Sequence, residues 1–310
     1  MNLALINKKE EQIADSRVTI IVVTFNSEKV IIKSLSRLDS SKHQIIVVDN
    51  GSSDYCCRLI KEHFPDIKLL ELGRNIGYGR ANNVALRIVE TEFAIIFNPD
   101  ALIDSDNIEL LVKTMDRDSN IAISAPLLLD GDGSGSSFDV SKNKAEKILR
   151  NNLIAEKEDL YVVKYLIGAV LCLRMSVFRQ IGFFNEKIFL YYEDDEITWR
   201  AIKYGHNAVI LKNAVAFHLG SGSSGSSLRF LYKRFWHRAF SKFCWKAERK
   251  GLKLARISAC KLLAMFLIKF LFNLALFRIK KAVEFLASSS GTFAFLLGKG
   301  AFDKNDNPRG

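Results

Sequence analysis

Short apolar runs alternate with amphipathic stretches through the first hundred residues, and nothing else in the chain narrows its possible folds as much. VTIIVVTFN (18–26), QIIVVDN (44–50), IKLLEL (67–72) and FAIIFN (93–98) have the length and apolar content of strands. Between them, VIIKSLSRL (30–38), CRLIKEHF (57–64) and ANNVALRIVE (81–90) carry apolar residues at helical spacing. Strand and helix patterns taking turns predict βαβ units and an α/β fold with a mostly parallel sheet flanked by helices. Ligands of such sheets sit beyond the carboxyl ends of the strands. The residues there are Thr24, Phe25 and Asn26; Asp49, Asn50 and Gly51; Gly73 and Arg74; and Asn98, Pro99 and Asp100.

Later segments are less regular. DGDGSGSSFDV (130–140) is a Gly/Ser-rich break, and SKNKAEKILRNNLIAEKEDL (141–160) reads as a solvated helix or loop, the two together as an insertion. Order resumes in YLIGAVLCLRMSVFRQIGFF (165–184) and NEKIFLYYEDDEITWRAIKYG (185–205), followed by a strand, NAVILKNAVAFH (207–218). A second Gly/Ser tract, LGSGSSGSS (219–227), reads either as a linker or as a lid. The expected organisation is an extension over 1–17, a catalytic domain over 18–227 and a basic helical region over 228–310.

The net charge of +11 would suit nucleic acid if it were spread over the chain. It is not: residues 1–220 carry 27 Lys+Arg against 30 Asp+Glu, and residues 221–310 carry 18 against 4. Within the basic tail, LLAMFLIKFLFNLALF (262–277) is apolar but interrupted by Lys269 and Asn273. Its charge-free runs fall short of the ~18–20 residues that span a bilayer. An apolar helix between basic clusters suits the interface of an anionic membrane, where apolar burial and charge attraction add. The five cysteines form no C-x-x-C pair and suggest neither a disulfide framework nor structural zinc. The N-terminus lacks the apolar length of a signal peptide, so the expected location is the cytoplasmic side, peripheral at the inner face of the membrane.

The densest chemistry is YYEDDEITWR (191–200), with four acids in a row from Glu193 to Glu196. Adjacent carboxylates repel, so they are solvated, face cations, bind metal, or complement the positive end of a helix dipole. On a helix Glu193 and Glu196 share a face and Asp194 points elsewhere. Asp100 follows an apolar strand in an Asn-Pro-Asp turn, and His218 ends another strand; together they would make an oxygen/nitrogen metal site of the kind that holds a diphosphate. Asp49 heads DNGSSD, which reads as an Asx turn or as a carboxylate that accepts from a pyrimidine ring N–H. GRNIGYGRANN (73–83) is glycine-rich before a helix but lacks G-x-G-x-x-G spacing; Arg74 and Arg80 are suited to phosphate or base.

In order, VTIIVVTFN, IIVVDNGSSD, GRNIGYGRANN, IIFNPDALI, IGFFNEKIFLYYEDDEITWRAIKYG and AVAFHLGSGS resemble the family 2 glycosyltransferases, and within them the branch of bacterial rhamnosyltransferase-like enzymes of surface-polysaccharide assembly. The resemblance covers about residues 18–245. It implies a GT-A nucleotide-diphospho-sugar transferase fold, a dTDP- or UDP-linked sugar donor, inversion at the anomeric carbon and a divalent cation, Mg2+ or Mn2+. By position it implies Thr24, Asn26 and Asp49 in the nucleotide pocket, Arg80 and Asn82 near base or ribose, and Gly168 and Ala169 in a turn by the sugars. Asp100 would be the last acid of a D-x-D element that reaches the cation, with His218 closing that side, and Asp194 the general base with Glu193 beside it. Two departures stand out. Asn98 replaces the first acid of D-x-D, and the acid pattern Glu193-Asp194-Asp195-Glu196 makes Asp195 a rival for the base.

The expected function is therefore a hexosyltransferase-type enzyme, moving a deoxyhexose such as rhamnose to a lipid-linked or growing glycan acceptor in O-antigen- or capsule-like polysaccharide synthesis. The alternative is a catalytically weakened nucleotide-sugar-binding scaffold of the same assembly, for which Asn98 is the argument. A sugar nucleotidyltransferase would show an N-terminal Gly-rich loop with a lysine, which VVTFNSEKV lacks. Single-stranded nucleic acid on the basic aromatic stretch 228–250 is the remaining alternative, and no nucleic-acid partner is expected.

Overall fold

The computed structural model describes residues 16–131, 152–220 and 227–310. Its strands are β1 (Val18–Thr24), β2 (Gln44–Asp49), β3 (Lys68–Glu71), β4 (Phe93–Phe97), β5 (Ala101–Leu102), β6 (Ile121–Asp130), β7 (Leu153–Glu156), β8 (Leu160–Val163), β9 (Val170–Arg174) and β10 (Asn207–His218). The helices are α1 (Ile31–Leu35), α2 (Cys56–His63), α3 (Tyr78–Leu86), α4 (Ser105–Arg117), α5 (Met175–Ile181), α6 (Glu193–Lys203), α7 (Leu228–Lys250), α8 (Leu252–Ala275) and α9 (Ile279–Leu296). By contact density the chain divides into two units. One comprises Met1–Asn75, Ala81–Phe184 and Ile197–Ser223; the other comprises Ile76–Arg80, Asn185–Glu196 and Ser224–Gly310.

The first unit is built on one ten-stranded sheet in the order β3-β2-β1-β4-β9-β6-β10-β8-β7, with β5 paired to β10. Its β3-β2-β1-β4 part is parallel, as the βαβ pattern requires. β9 then enters antiparallel between β4 and β6, and β8 and β7 extend the far edge antiparallel, so the whole sheet is mixed rather than mostly parallel. β1 and β4 are buried along their whole length, which is why they read as unbroken apolar runs instead of alternating ones. The segment 141–160, expected as solvated helix or loop, yields the strand β7 in its described part. Short edge strands flanked by charge carry little apolar signal, since only one face and one edge are covered.

The second unit is built around α7, α8 and α9, whose shared core holds Trp236, Phe240, Phe243, Ala255, Ala259, Ala287 and Phe295. Ser227 caps α7, its side-chain oxygen accepting from the Phe230 N–H at 3.2 Å. Close approach depends on small residues. A Cβ placed on Gly291 of α9 would run into the backbone carbonyl of Trp236. Gly77 is constrained twice, by φ +94° and by the Phe189 carbonyl oxygen 2.7 Å from where its Cβ would be. α8 is long and apolar enough to cross a membrane, and only 11% of its most apolar window is buried. The sequence had suggested a shorter apolar stretch, because Lys269 and Asn273 interrupt it without ending the helix.

Candidate active site

The strand register of the first unit collects the polar strand ends on one edge. Thr24 at the end of β1 pairs with Asp49 at the end of β2, and Phe97 at the end of β4 pairs with Val170 at the start of β9. The loops after β1 and β2 are knitted together. Asn26, held at φ 52°, accepts from the Ser53 N–H at 2.8 Å, and its own N–H donates to the Ser52 hydroxyl at 2.9 Å. Asp49 is buried and its carboxylate accepts from the N–H groups of Gly51 and Ser52 at 3.1 Å, which is the Asx turn. The Thr24 hydroxyl is turned to the Cys56 thiol at 3.1 Å. Asn82 is fully buried on α3.

Gly168 and Ala169 form the turn before β9, and the Asn98 N–H donates to the Ala169 carbonyl at 2.9 Å. Three residues on from Asn98, Ala101 of β5 pairs antiparallel with His218 of β10, which fixes Asp100 beside the histidine. His218 Nε2 lies 3.2 Å from Asp100 Oδ1, and that contact holds the imidazole pKa above its ordinary value. A carboxylate and an imidazole are donors that a divalent cation accepts. Among the described residues no group of three or more His, Cys, Asp or Glu is placed to hold a metal. Asp100 and His218 are two such donors, fewer than a closed metal site holds.

In the second unit, Tyr191 and Tyr192 both have φ 69°, a conformation that bulky side chains rarely adopt and that recurs at functional sites. The Arg234 guanidinium donates to the Tyr191 hydroxyl at 2.7 Å, and the Glu196 N–H closes onto the Tyr192 carbonyl at 2.9 Å. The bend presents the acid run as the first turn of α6. Glu193 and Glu196 are buried, while Asp194 and Asp195 are half-buried. Burial and then repulsion from Asp194 push the Glu193 carboxyl well above the usual range. The same two causes raise Asp195 to about 7, with Arg249 opposing them. Asp194 itself accepts from the Asp195 N–H at 3.0 Å.

Arg80, expected near base or ribose, has its guanidinium taken up within the second unit. It donates to Asp306 at 2.7 Å and to the Glu186 carbonyl at 2.9 Å, and lies 3.6 Å above the centre of the Phe302 ring. Asn185 donates to Glu248 at 2.7 Å. Two residues that the sequence reading passed over brace the segment before Asn185. Arg200 donates to the carbonyls of Ile181, Gly182 and Phe183. Asn83 pairs with both backbone groups of Phe184, at 2.9 and 3.0 Å. An arginine near a helix C-terminus and an asparagine beside another asparagine give no hint of a partner 17 or 101 positions away.

The sequence profile described as Glycosyl transferase family 2 matches residues 19–182, more than half of the chain. The chain belongs to glycosyl transferase family 2. It is 30% identical over 202 residues to the low-salt glycan biosynthesis hexosyltransferase Agl10 of Haloferax volcanii, a match covering 62% of this chain and 64% of that one. It is 27% identical over 222 residues to the N-acetylglucosaminyl-diphospho-decaprenol L-rhamnosyltransferase of Mycobacterium tuberculosis, covering 62% and 71%. The chain thus spans somewhat under two thirds of the archaeal relative's length. Among solved structures, the mannosyltransferase PcManGT of Pyrobaculum calidifontis, in complex with GDP-Man and Mn2+, superposes with a TM-score of 0.57 at 18% identity, covering 96% of this chain and 95% of that one. The fold of this family 2 member is the GT-A fold.

Proposed function

We propose that this family 2 member is an inverting glycosyltransferase that moves a sugar, a deoxyhexose such as rhamnose, from a dTDP- or UDP-linked donor. The acceptor is a hydroxyl of a lipid-linked or growing glycan in cell-surface polysaccharide synthesis, reached at the inner face of the cell membrane. The observation that carries this reading is the strand-end edge of the first unit, where register brings Asp100 to His218 and Asn98 to Ala169. Relatives named as glycan hexosyltransferase and rhamnosyltransferase support the reaction class and a polyprenyl-linked acceptor.

Thr24, Asn26, Asp49 and Asn82 serve the nucleotide, and Asn98, Gly168 and Ala169 the sugar-diphosphate side. Asp100 and His218 would hold a Mg2+ or Mn2+ ion, which when bound compensates the charge of the leaving diphosphate. Asp194 takes the proton of the acceptor hydroxyl as its oxygen bonds to the anomeric carbon from the face opposite the diphosphate. The carbon–phosphate-oxygen bond breaks, and the nucleoside diphosphate leaves with the electron pair. Burial favours the protonated form of Glu193, which limits the negative charge beside Asp194. Arg80, expected near base or ribose, is held by Asp306 and Phe302 within the second unit and is given no contact with the donor in this reading.

One observation favours the weakened-scaffold reading: Asn98 supplies no charge where the family has an acid. The two readings part on turnover. With Mn2+ and a suitable donor and acceptor, Asp194→Asn is expected to lose about 10²–10⁴-fold in nucleoside-diphosphate release while keeping donor binding. Full release in the variant would remove Asp194 from the role of base, and no release from the wild-type protein with any donor would leave the scaffold.

A further inference from the structure

We propose that the tip of the α8–α9 hairpin, residues 267–281, inserts into the surface of an anionic lipid bilayer, with Lys269, Arg278, Lys280 and Lys281 at headgroup level. The proposal rests on the membrane-face reading above and gives it a contact surface. The tip holds the most exposed apolar side chains of the second unit: Phe277 at 87%, Ile268 at 68%, Leu271 at 62% and Phe272 at 60%. Large apolar side chains left this exposed within one short stretch of chain mark an interaction surface. The N-terminal half of α8 is differently placed, since Ala255 and Ala259 are buried in the core with α7 and α9. That half also carries Lys253, Arg256 and Lys261 and is anchored in the folded unit through its alanine face; Leu252, Leu254 and Ile257 are exposed there too, at 46–53%, below those four values at the tip.

The backbone of the turn suits a medium without water. Leu276, Phe277 and Arg278 donate their N–H groups to Phe272, Leu274 and Asn273 at 3.2, 3.0 and 2.9 Å. The N–H of Ile279 donates to Phe277, and that of Ala282 to Arg278. Asn273, the one polar side chain among the apolar ones of the turn, is buried and donates to the Lys269 carbonyl at 2.7 Å. Peptide groups paired within the turn carry a much smaller desolvation penalty into an apolar medium than unpaired ones, the penalty that bars most loops from it. Around the tip, the acid Glu284 is already paired with Lys281 at 3.1 Å, leaving a basic collar. Two copies of this chain meeting tip to tip would bring those collars together, whereas anionic headgroups complement them. Shallow insertion of ~5–10 Å is the geometry of an interfacial apolar face.

The test is co-sedimentation of the full chain with phosphatidylcholine vesicles, with and without phosphatidylglycerol. Binding is expected only with the anionic lipid, weakening about fivefold for each of K280Q and K281Q, and lost in the double variant L271S/F277S. These side chains are exposed, so circular dichroism and thermal melting should be unchanged. In F277W the indole emission should shift to the blue on adding anionic vesicles, beyond any shift of the wild-type protein. Equal binding of wild type and L271S/F277S, or no such shift, would overturn the proposal. So would a wild-type dimer that L271S/F277S dissociates, or wild-type chain that resists alkaline carbonate extraction from cell membranes, as a spanning helix does. Donor binding by thermal shift on the same preparations separates the two readings: retained donor binding without vesicle binding sinks the tip alone, and the converse sinks only the transferase reading.

Discussion

At the scale of single residues, the contact between Asp100 and His218 does the most to turn a strand-end turn into chemistry. Asp100→Ala should weaken cation-dependent donor binding and let the His218 pKa fall back towards its ordinary value, the first read by thermal shift with and without Mn2+ and the second by NMR titration. Unchanged cation dependence would make Asp100 a turn residue only. Asp195 gives a second expectation. Unfolded, it ionises near 3.8; folded, it holds its proton to about 7. Its contribution to stability is therefore full below the lower value and is lost as pH rises through the upper one. Asp195→Asn removes that loss, so the melting temperature of the variant relative to wild type should climb between about pH 4 and pH 7; parallel curves would contradict the burial argument. Arg80→Ala should cost about 1–2 kcal/mol, from a part-exposed ion pair and a ring stack, and expose the last ten residues to protease. The tail contact was not legible in the sequence, because its partners are 226 positions apart.

At the scale of elements, what could be read ahead of the structure follows burial. β1, β2 and β4 announce themselves because both faces are covered, and their carboxyl ends therefore place Thr24, Asp49 and Asn98 correctly at an edge of the sheet. The two-residue strand β5 is too short to carry any pattern, yet its register with β10 is what sets Asp100 against His218. The sequence pointed to that pairing only through the placing of both residues at strand ends and the order of motifs along the chain. β7 was missed for the opposite reason, since it sits at the sheet edge among charged residues; β8, between β10 and β7, is mostly buried but too short to stand out after the charged run before it. The packing of α7 against α9 was likewise hidden, since Gly291 in SSSGTF looks like a helix weakener rather than a fitted contact. Gly291→Ala should destabilise the second unit by about 1–3 kcal/mol, as overpacking does, although alanine is the better helix former. A rise in melting temperature would show that the helices have room to move apart.

At the scale of the whole molecule, charge and chemistry are divided. The residues proposed to hold cation and nucleotide belong to the first unit; the acid run and the +14 tail belong to the second. Removing 252–310 would take Ala255, Ala259, Ala287, Phe295 and the Asp306 contact away from α7 and Arg80 and so strip a core. Surface substitutions at the hairpin tip are the valid probe of membrane contact. The central claim is sugar transfer with Asp194 as base, and it is tested most directly by nucleoside-diphosphate release from a panel of dTDP- and UDP-sugars with Mn2+ or Mg2+, wild type against Asp194→Asn, with donor binding followed on both. The account expects turnover in the wild type, a loss of about 10²–10⁴-fold in the variant, and equal donor binding. Turnover undiminished in Asp194→Asn would contradict it.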